Sequence, residues 1–144
     1  MTTAPAPKLT PFLLFEGNCA EAMRFYRSCF GGELVITRVG DIGDAPPELR
    51  QKVAHAHLKS GTIEFSATDW QHPTRKPVRG NTVAMYVDGG SSARLTEIFD
   101  RLSEGADGSL LDPLREMPFG TYGHLADKFG VHWFFHGGSP EGTA

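Results

Sequence analysis

Three side chains in the first half of the chain have types and spacing suited to chemistry: His55, His57 and Glu64. KVAHAHLK (52–59) alternates, so His55 and His57 fall on one face of a strand. Ser60 and Gly61 turn the chain, and TIEFSAT (62–68) brings Glu64 back across from one of the two histidines. Two imidazoles and a carboxylate suit zinc, iron or nickel. They equally suit a hydrogen-bonded polar lining without any ion, or a general base, Glu64, that takes a proton from beside a carbonyl. A second set lies near the end of the chain in DKFGVHWFFH, where alternation puts His132, Phe134 and His136 on one face and Val131, Trp133 and Phe135 on the other. His124 sits in the preceding strand. Trp70 and Tyr122 have rings able to stack on a flat or sugar-like ligand, or to fill a subunit interface. Trp133 is read as core, and Asp127 as the residue that shapes the turn before Gly130 by accepting backbone N–H groups.

The elements that position these residues follow from periodicity. LTPFLLF (9–15) is a short apolar strand with Pro11 near its start, and Asn18 with Glu21 forms a variant capping box. Ala22, Phe25, Tyr26 and Cys29 make the apolar stripe of a helix closed by Gly31 and Gly32, and ELVITRV (33–39) resumes as a strand. After a Gly- and Pro-containing excursion over 40–51 comes the hairpin, with Val53, His55 and His57 on one face and Ala54, Ala56 and Leu58 on the other. Asp69–Gly80 is a polar connection. The order then repeats: a strand over 81–87, and a helix capped by Ser91 or Ser92 with Leu95, Ile98, Phe99 and Leu102 as its stripe, running to about Glu104. A strand over 109–116 with Pro113 as a bulge or edge marker, one over 119–126 and the final strand complete it.

Composition narrows the function classes. A chain of 144 residues, 40% hydrophobic, makes one domain burying roughly two-thirds of its unfolded surface. Fourteen Lys and Arg against 17 Asp and Glu, with no basic window interleaved with aromatics, exclude nucleic acid as the expected partner. No apolar run approaches the roughly 20 residues of a membrane helix, and the N-terminus lacks a signal-peptide core, so a cytoplasmic protein is expected. Cys19 and Cys29, about 15 Å apart along one helix, read as reduced, packed thiols. There is no glycine-rich phosphate loop, nucleophile elbow or dinucleotide fingerprint, and no cofactor is assigned.

The two halves, each βαβββ and offset by roughly 72 residues, read as duplicated modules of one α+β domain. A curved mixed-sheet cup with helices on its outer face is the expected architecture. The expected boundaries are loose tails at 1–8 and 137–144 and a domain at 9–136, with module one at 9–68, a linker at 69–80 and module two at 81–136. The cup is the default ligand site.

PFLLFEGNCAEAMRFYRSCFGGEL, AHAHLKSGTIEFSATD and FGTYGHLADKFGVHW, in this order and spacing, resemble the PhnB-like branch of the vicinal oxygen chelate superfamily of glyoxalases, bleomycin-resistance proteins and dioxygenases. The resemblance covers roughly residues 9 to 136. It implies paired βαβββ modules, a homodimer and, in catalytic members, one divalent metal held in the cup by His, Gln or Glu, acting as a Lewis acid on substrate oxygens. Carried over position by position, the implied metal ligands fall near Pro11, at Glu64, near Asn81 or Thr82, and at Phe134. Only Glu64 keeps a ligand of the expected kind, so the usual metal site is expected to be missing. Relatives of the branch often carry the name of a demethylubiquinone methyltransferase, but no strand and Gly-rich turn here suits S-adenosylmethionine. Two readings result. The first is a module that binds a small hydrophobic or aromatic molecule through His55, His57, Trp70, Tyr122, His132 and Phe134, with no metal. The alternative is a metal-dependent lyase, isomerase or dioxygenase that uses Glu64 with His55 or His57.

Overall fold

The computed structural model describes residues 4–138; the outer parts of both expected tails, 1–3 and 139–144, lie outside the described residues. Contacts divide the chain into two compact units. The first takes the chain up to Arg27 together with Gly32–Pro77, and the second takes Ser28–Gly31 together with the chain from Val78 onward.

The first unit carries β1 (Phe12–Phe15), most of α1 (Cys19–Phe30), β2 (Glu33–Arg38), the one-turn helices α2 (Val39–Ile42) and α3 (Pro47–Arg50), β3 (Val53–Ser60) and β4 (Ile63–Asp69). Its four strands run in the order β1-β4-β3-β2, with β1 parallel to β4 and the other pairs antiparallel. The second unit repeats the plan with β5 (Met85–Asp88), α4 (Ser92–Leu102), a 3₁₀ turn at Gly108–Leu110, β6 (Leu111–Met117), β7 (Gly120–Ala126) and β8 (His132–Gly137), ordered β5-β8-β7-β6. The α+β fold of two βαβββ modules is thus as the sequence predicts. Among the described residues, no helix is long and apolar enough to cross a membrane.

Helix α1 buries Ala22, Tyr26 and Cys29 of the expected stripe and adds Cys19, Met23 and Phe30. Tyr26 meets Phe65 of β4 edge-on, with ring centroids 5.6 Å apart. In the second unit Phe30 packs on Trp133 at 5.2 Å, and Phe99 of α4 meets Phe135 at 5.3 Å. Each such fully buried ring contributes about 1.5–3 kcal/mol of transfer free energy. Both ends of α1 are closed by side chains from distant parts of the sequence. At its start, the buried carboxylate of Asp69 accepts the N–H groups of Gly17 (2.7 Å) and Cys19 (3.0 Å) on Oδ1 and that of Val53 (2.9 Å) on Oδ2. At its end, Arg101 and Arg94 of α4 donate to the carbonyls of Ser28 and Phe30, both at 3.0 Å, which satisfies acceptors the last turn leaves over and sets cations at the negative end of the dipole. Asp127 holds the turn before β8 as expected: Oδ1 accepts from Phe129 and Val131, and Oδ2 from the Trp133 indole at 2.8 Å.

Several sequence expectations are corrected. β1 starts at Phe12 and not Leu9, which is 99% exposed. β5 starts at Met85 and not Asn81, because it pairs in parallel with β8 from Trp133 and so has no sheet partner earlier. The 40–51 excursion holds α2 and α3. α4 stops at Leu102, and Ser91 is its cap, accepting from the Arg94 N–H at 3.1 Å. Val53 does not share the histidine face. Thr37 pairs with His55 and the next residue, Arg38, with Val53, so Ala54 is an extra residue that turns Val53 to the buried side with Ala56 and Leu58. At the other end, β8 runs on to Gly137, and the Gly138 N–H bonds to the Gly90 carbonyl at 2.8 Å.

Replacing Asp69 by Ala strips the buried N–H groups of Cys19 and Val53, and the part-buried one of Gly17, of their acceptor, and each buried donor left unsatisfied costs about 1–3 kcal/mol. Denaturant unfolding of Asp69→Ala should therefore show a loss of roughly 2 kcal/mol or more. Asp69→Asn, which retains one acceptor oxygen, should lose less.

Candidate functional site

β3 and β4 present His55, His57 and Glu64 on the sheet face opposite α1. Register pairs Val35 with His57, His57 with Ser66, and Ser66 with Phe12, so these side chains form one band across four strands. The Phe12, His55 and His57 rings stand in a row, with centroids 6.1 and 6.4 Å apart and planes 27° and 11° from parallel. At the end of the row His57 Nε2 lies 2.6 Å from Glu64 Oε2, and the Lys8 ammonium pairs with Glu64 Oε1. Phe12 and Val35 are large apolar side chains left 52% and 60% exposed. These bonds from Lys8 and then His57 hold the Glu64 carboxyl down at about 2, against the mild opposition of partial burial. Glu64 is an anion throughout the physiological range.

The second unit has a comparable face. Tyr86 pairs with Phe134 and Phe134 with His124, while Tyr122 pairs with His136. His124 Nε2 and His132 Nδ1 are 3.0 Å apart, and the His124 ring lies 4.3 Å from that of Phe134. Tyr122 lies beside Phe134 and Phe119. Trp70 has its ring 5.8 Å from that of His72, and the Trp70 backbone N–H continues the β1–β4 pairing onto the Phe15 carbonyl. The structure therefore groups His55, His57 and Glu64 in one place and Tyr122, His132 and Phe134, with His124, in another.

Of the positions the resemblance implies as metal ligands, Pro11 and Phe134 have no side-chain donor, and Asn81 or Thr82 offers a neutral oxygen. Glu64 is the one donor of the expected kind, and both its oxygens are engaged. Among the described residues, no three His, Cys, Asp or Glu side chains come together as a group able to hold a metal ion. Sequence reasoning missed Lys8, which it assigned to a loose tail, and Phe12 and Val35. Alternation in FLLF and ELVITR already placed Phe12 and Val35 on one side of their strands; nothing local marked Lys8.

Two histidines are tuned in opposite directions. Burial, then the neighbouring His132, pulls His124 below its ordinary value, with Asp112 at 3.8 Å opposing. His136 is raised, first by donating to the Phe119 carbonyl at 2.9 Å and then by Asp88 at 3.1 Å. The linkage signs differ accordingly. His136 contributes stability that is present below the unfolded value near 6.5 and lost as pH rises through its folded value; His124 lowers stability as pH falls below about 6.5. In an NMR titration His136 should lose its proton above 6.5 and His124 below; the reverse order would mean that the contacts of His136 with the Phe119 carbonyl and Asp88 do not form in solution. Both cysteines are free and buried, Cys19 pushed up to about 12 by desolvation and the Asp69 charge, Cys29 to about 11 chiefly by desolvation. Native protein at pH 8 should therefore resist iodoacetamide, and both thiols should react once it is unfolded.

The sequence model of a family described as 3-demethylubiquinone-9 3-methyltransferase matches residues 7–135. Protein YjdN of Escherichia coli is 24% identical over 143 residues, covering 89% of this chain and 93% of that protein. A crystal structure of a protein from Pseudomonas aeruginosa superposes with a TM-score of 0.77 at 27% identity, covering 92% of this chain and 98% of that one. A PhnB protein from Bacillus cereus does so at 0.69 and 29%, covering 91% and 99%.

Proposed function

Because the chain belongs to the 3-demethylubiquinone-9 3-methyltransferase family, a PhnB-like branch of the vicinal oxygen chelate superfamily, we propose that it binds a small aromatic or hydrophobic molecule and does so without the superfamily's usual metal. The observation that carries this reading is the row of Phe12, His55 and His57 rings, flanked by exposed Val35 and ending on Glu64. Apolar surface with one convergent polar group is what a small-molecule site offers. Rings left exposed on a sheet face cost hydration free energy until something covers them.

A proton-abstracting role for Glu64 is the weaker reading. A general base works best with a pKa near the operating pH, and a carboxylate held at about 2 by two hydrogen bonds is a poor acceptor at neutral pH. The methyl transfer in the family's description needs a methyl donor, and the sequence has no Gly-rich turn suited to the usual one. Kinship therefore supports the fold and a ligand surface more than it supports that reaction. The homodimer implied by the resemblance belongs to the same reading.

The test pairs elemental analysis with ligand titration. Protein purified without chelator should carry metal well below one equivalent, and benzamide, used as a neutral aromatic probe, should shift the amide resonances of β1 and β3 equally with and without EDTA. A stoichiometric metal that disappears in Glu64→Gln, together with probe binding abolished by EDTA, would overturn the reading.

A further inference from the structure

We infer that the first unit's site is built for a cationic aromatic ligand, an amidine, guanidine or protonated arylamine, and that Lys8 is an internal competitor occupying the cation's place. This rests on the binding reading above and adds the charge of the ligand.

The geometry sets out both halves of such a ligand. A planar ring is matched by Phe12 and His55, which are stacked and partly exposed. A cationic head is matched by Glu64, the carboxylate at the end of the same row, whose Oε2 is bonded to His57 and whose Oε1 is bonded to the Lys8 ammonium. Glu64 is only 17% exposed, so a positive charge that reaches it is partly withdrawn from water and from screening. Nothing in the fold obliges that charge to be Lys8. Lys8 precedes β1 in a segment without regular secondary structure, and its side chain is 60% exposed. A long flexible side chain anchored this way, 60% exposed, gives up rotamer freedom to make its ion pair, which offsets part of the attraction. A ligand that brings its own planar, pre-oriented donor fork and a ring to cover Phe12 gains stacking that lysine cannot supply. Lys59, opposite Glu64 across the hairpin, adds positive field but stays in place whether or not Lys8 leaves.

Displacement fixes the sign of each variant's effect. Losing Lys8 removes a competitor and should tighten cation binding, whereas losing the Glu64 charge removes the partner and should weaken it. Had Lys8 instead been an anchor for an anionic ligand, its loss would weaken binding.

The experiment titrates the full-length protein with benzamidine, benzamide and benzoate, followed by amide resonances of β1, β3 and β4. Benzamidine should bind more tightly than benzamide, and benzoate least. Lys8→Ala should tighten benzamidine roughly two- to fivefold, the value of one exposed ion pair. Glu64→Gln, nearly isosteric and checked for folding by its amide spectrum, should weaken it about tenfold or more, toward the affinity of benzamide. Equal affinities for benzamidine and benzamide would overturn the inference while leaving the binding reading standing. So would a Lys8→Ala variant that binds benzamidine no better, or benzoate binding that Lys8→Ala abolishes. If no probe perturbs these strands, both fall.

Discussion

The first unit depends on one buried carboxylate. Asp69 closes β4, and its two oxygens collect the N–H groups of Gly17, Cys19 and Val53. That single residue ties the turn after β1, the first turn of α1 and the start of β3 to the end of β4. It also sustains the bulge at Ala54, since the chain must double one residue there to bring the Val53 N–H to Asp69 while keeping His55 opposite Thr37. The histidine face thus owes its registration to a residue on the opposite, buried side of the sheet. A carboxylate buried this far is tolerated only where several donors converge, and backbone N–H groups provide that here.

Much of this was legible in the sequence and some was not, for physical reasons that differ. The duplicated βαβββ order, both helix stripes and the turn at Asp127 were legible because they arise from local periodicity and local hydrogen bonding. The fate of Asp69 was not. In sequence it is the first residue of a polar, Pro-containing connection, and its role exists only through partners 16 to 52 positions away. Strand starts at β1 and β5 were misjudged for a related reason: an apolar run sets where a strand is able to form, but the partner strand sets where it ends.

The candidate site divides in the same way. Glu64 beside His57 follows from a hairpin turn near Ser60 and Gly61, a local inference. Lys8 reaching Glu64 across 56 positions does not. The same segment that reads as a tail by composition supplies the hydrogen bond that most lowers the Glu64 pKa, so the electrostatics of the face depend on residues that no motif marks.

The second unit meets the demand of Asp69 differently, with glycine in place of a carboxylate. At the end of β8 a Cβ on Gly137 would lie 2.6 Å from the Gly89 carbonyl oxygen, and the Gly89 N–H donates to the His136 backbone carbonyl at 2.7 Å. One half holds its parallel pair together by a side chain that gathers N–H groups, the other by backbones pressed too close for any side chain. The repeated βαβββ order therefore does not make the two junctions exchangeable. An aspartate placed at position 137 could not do there what Asp69 does in the first unit, because its Cβ would be driven into the Gly89 carbonyl.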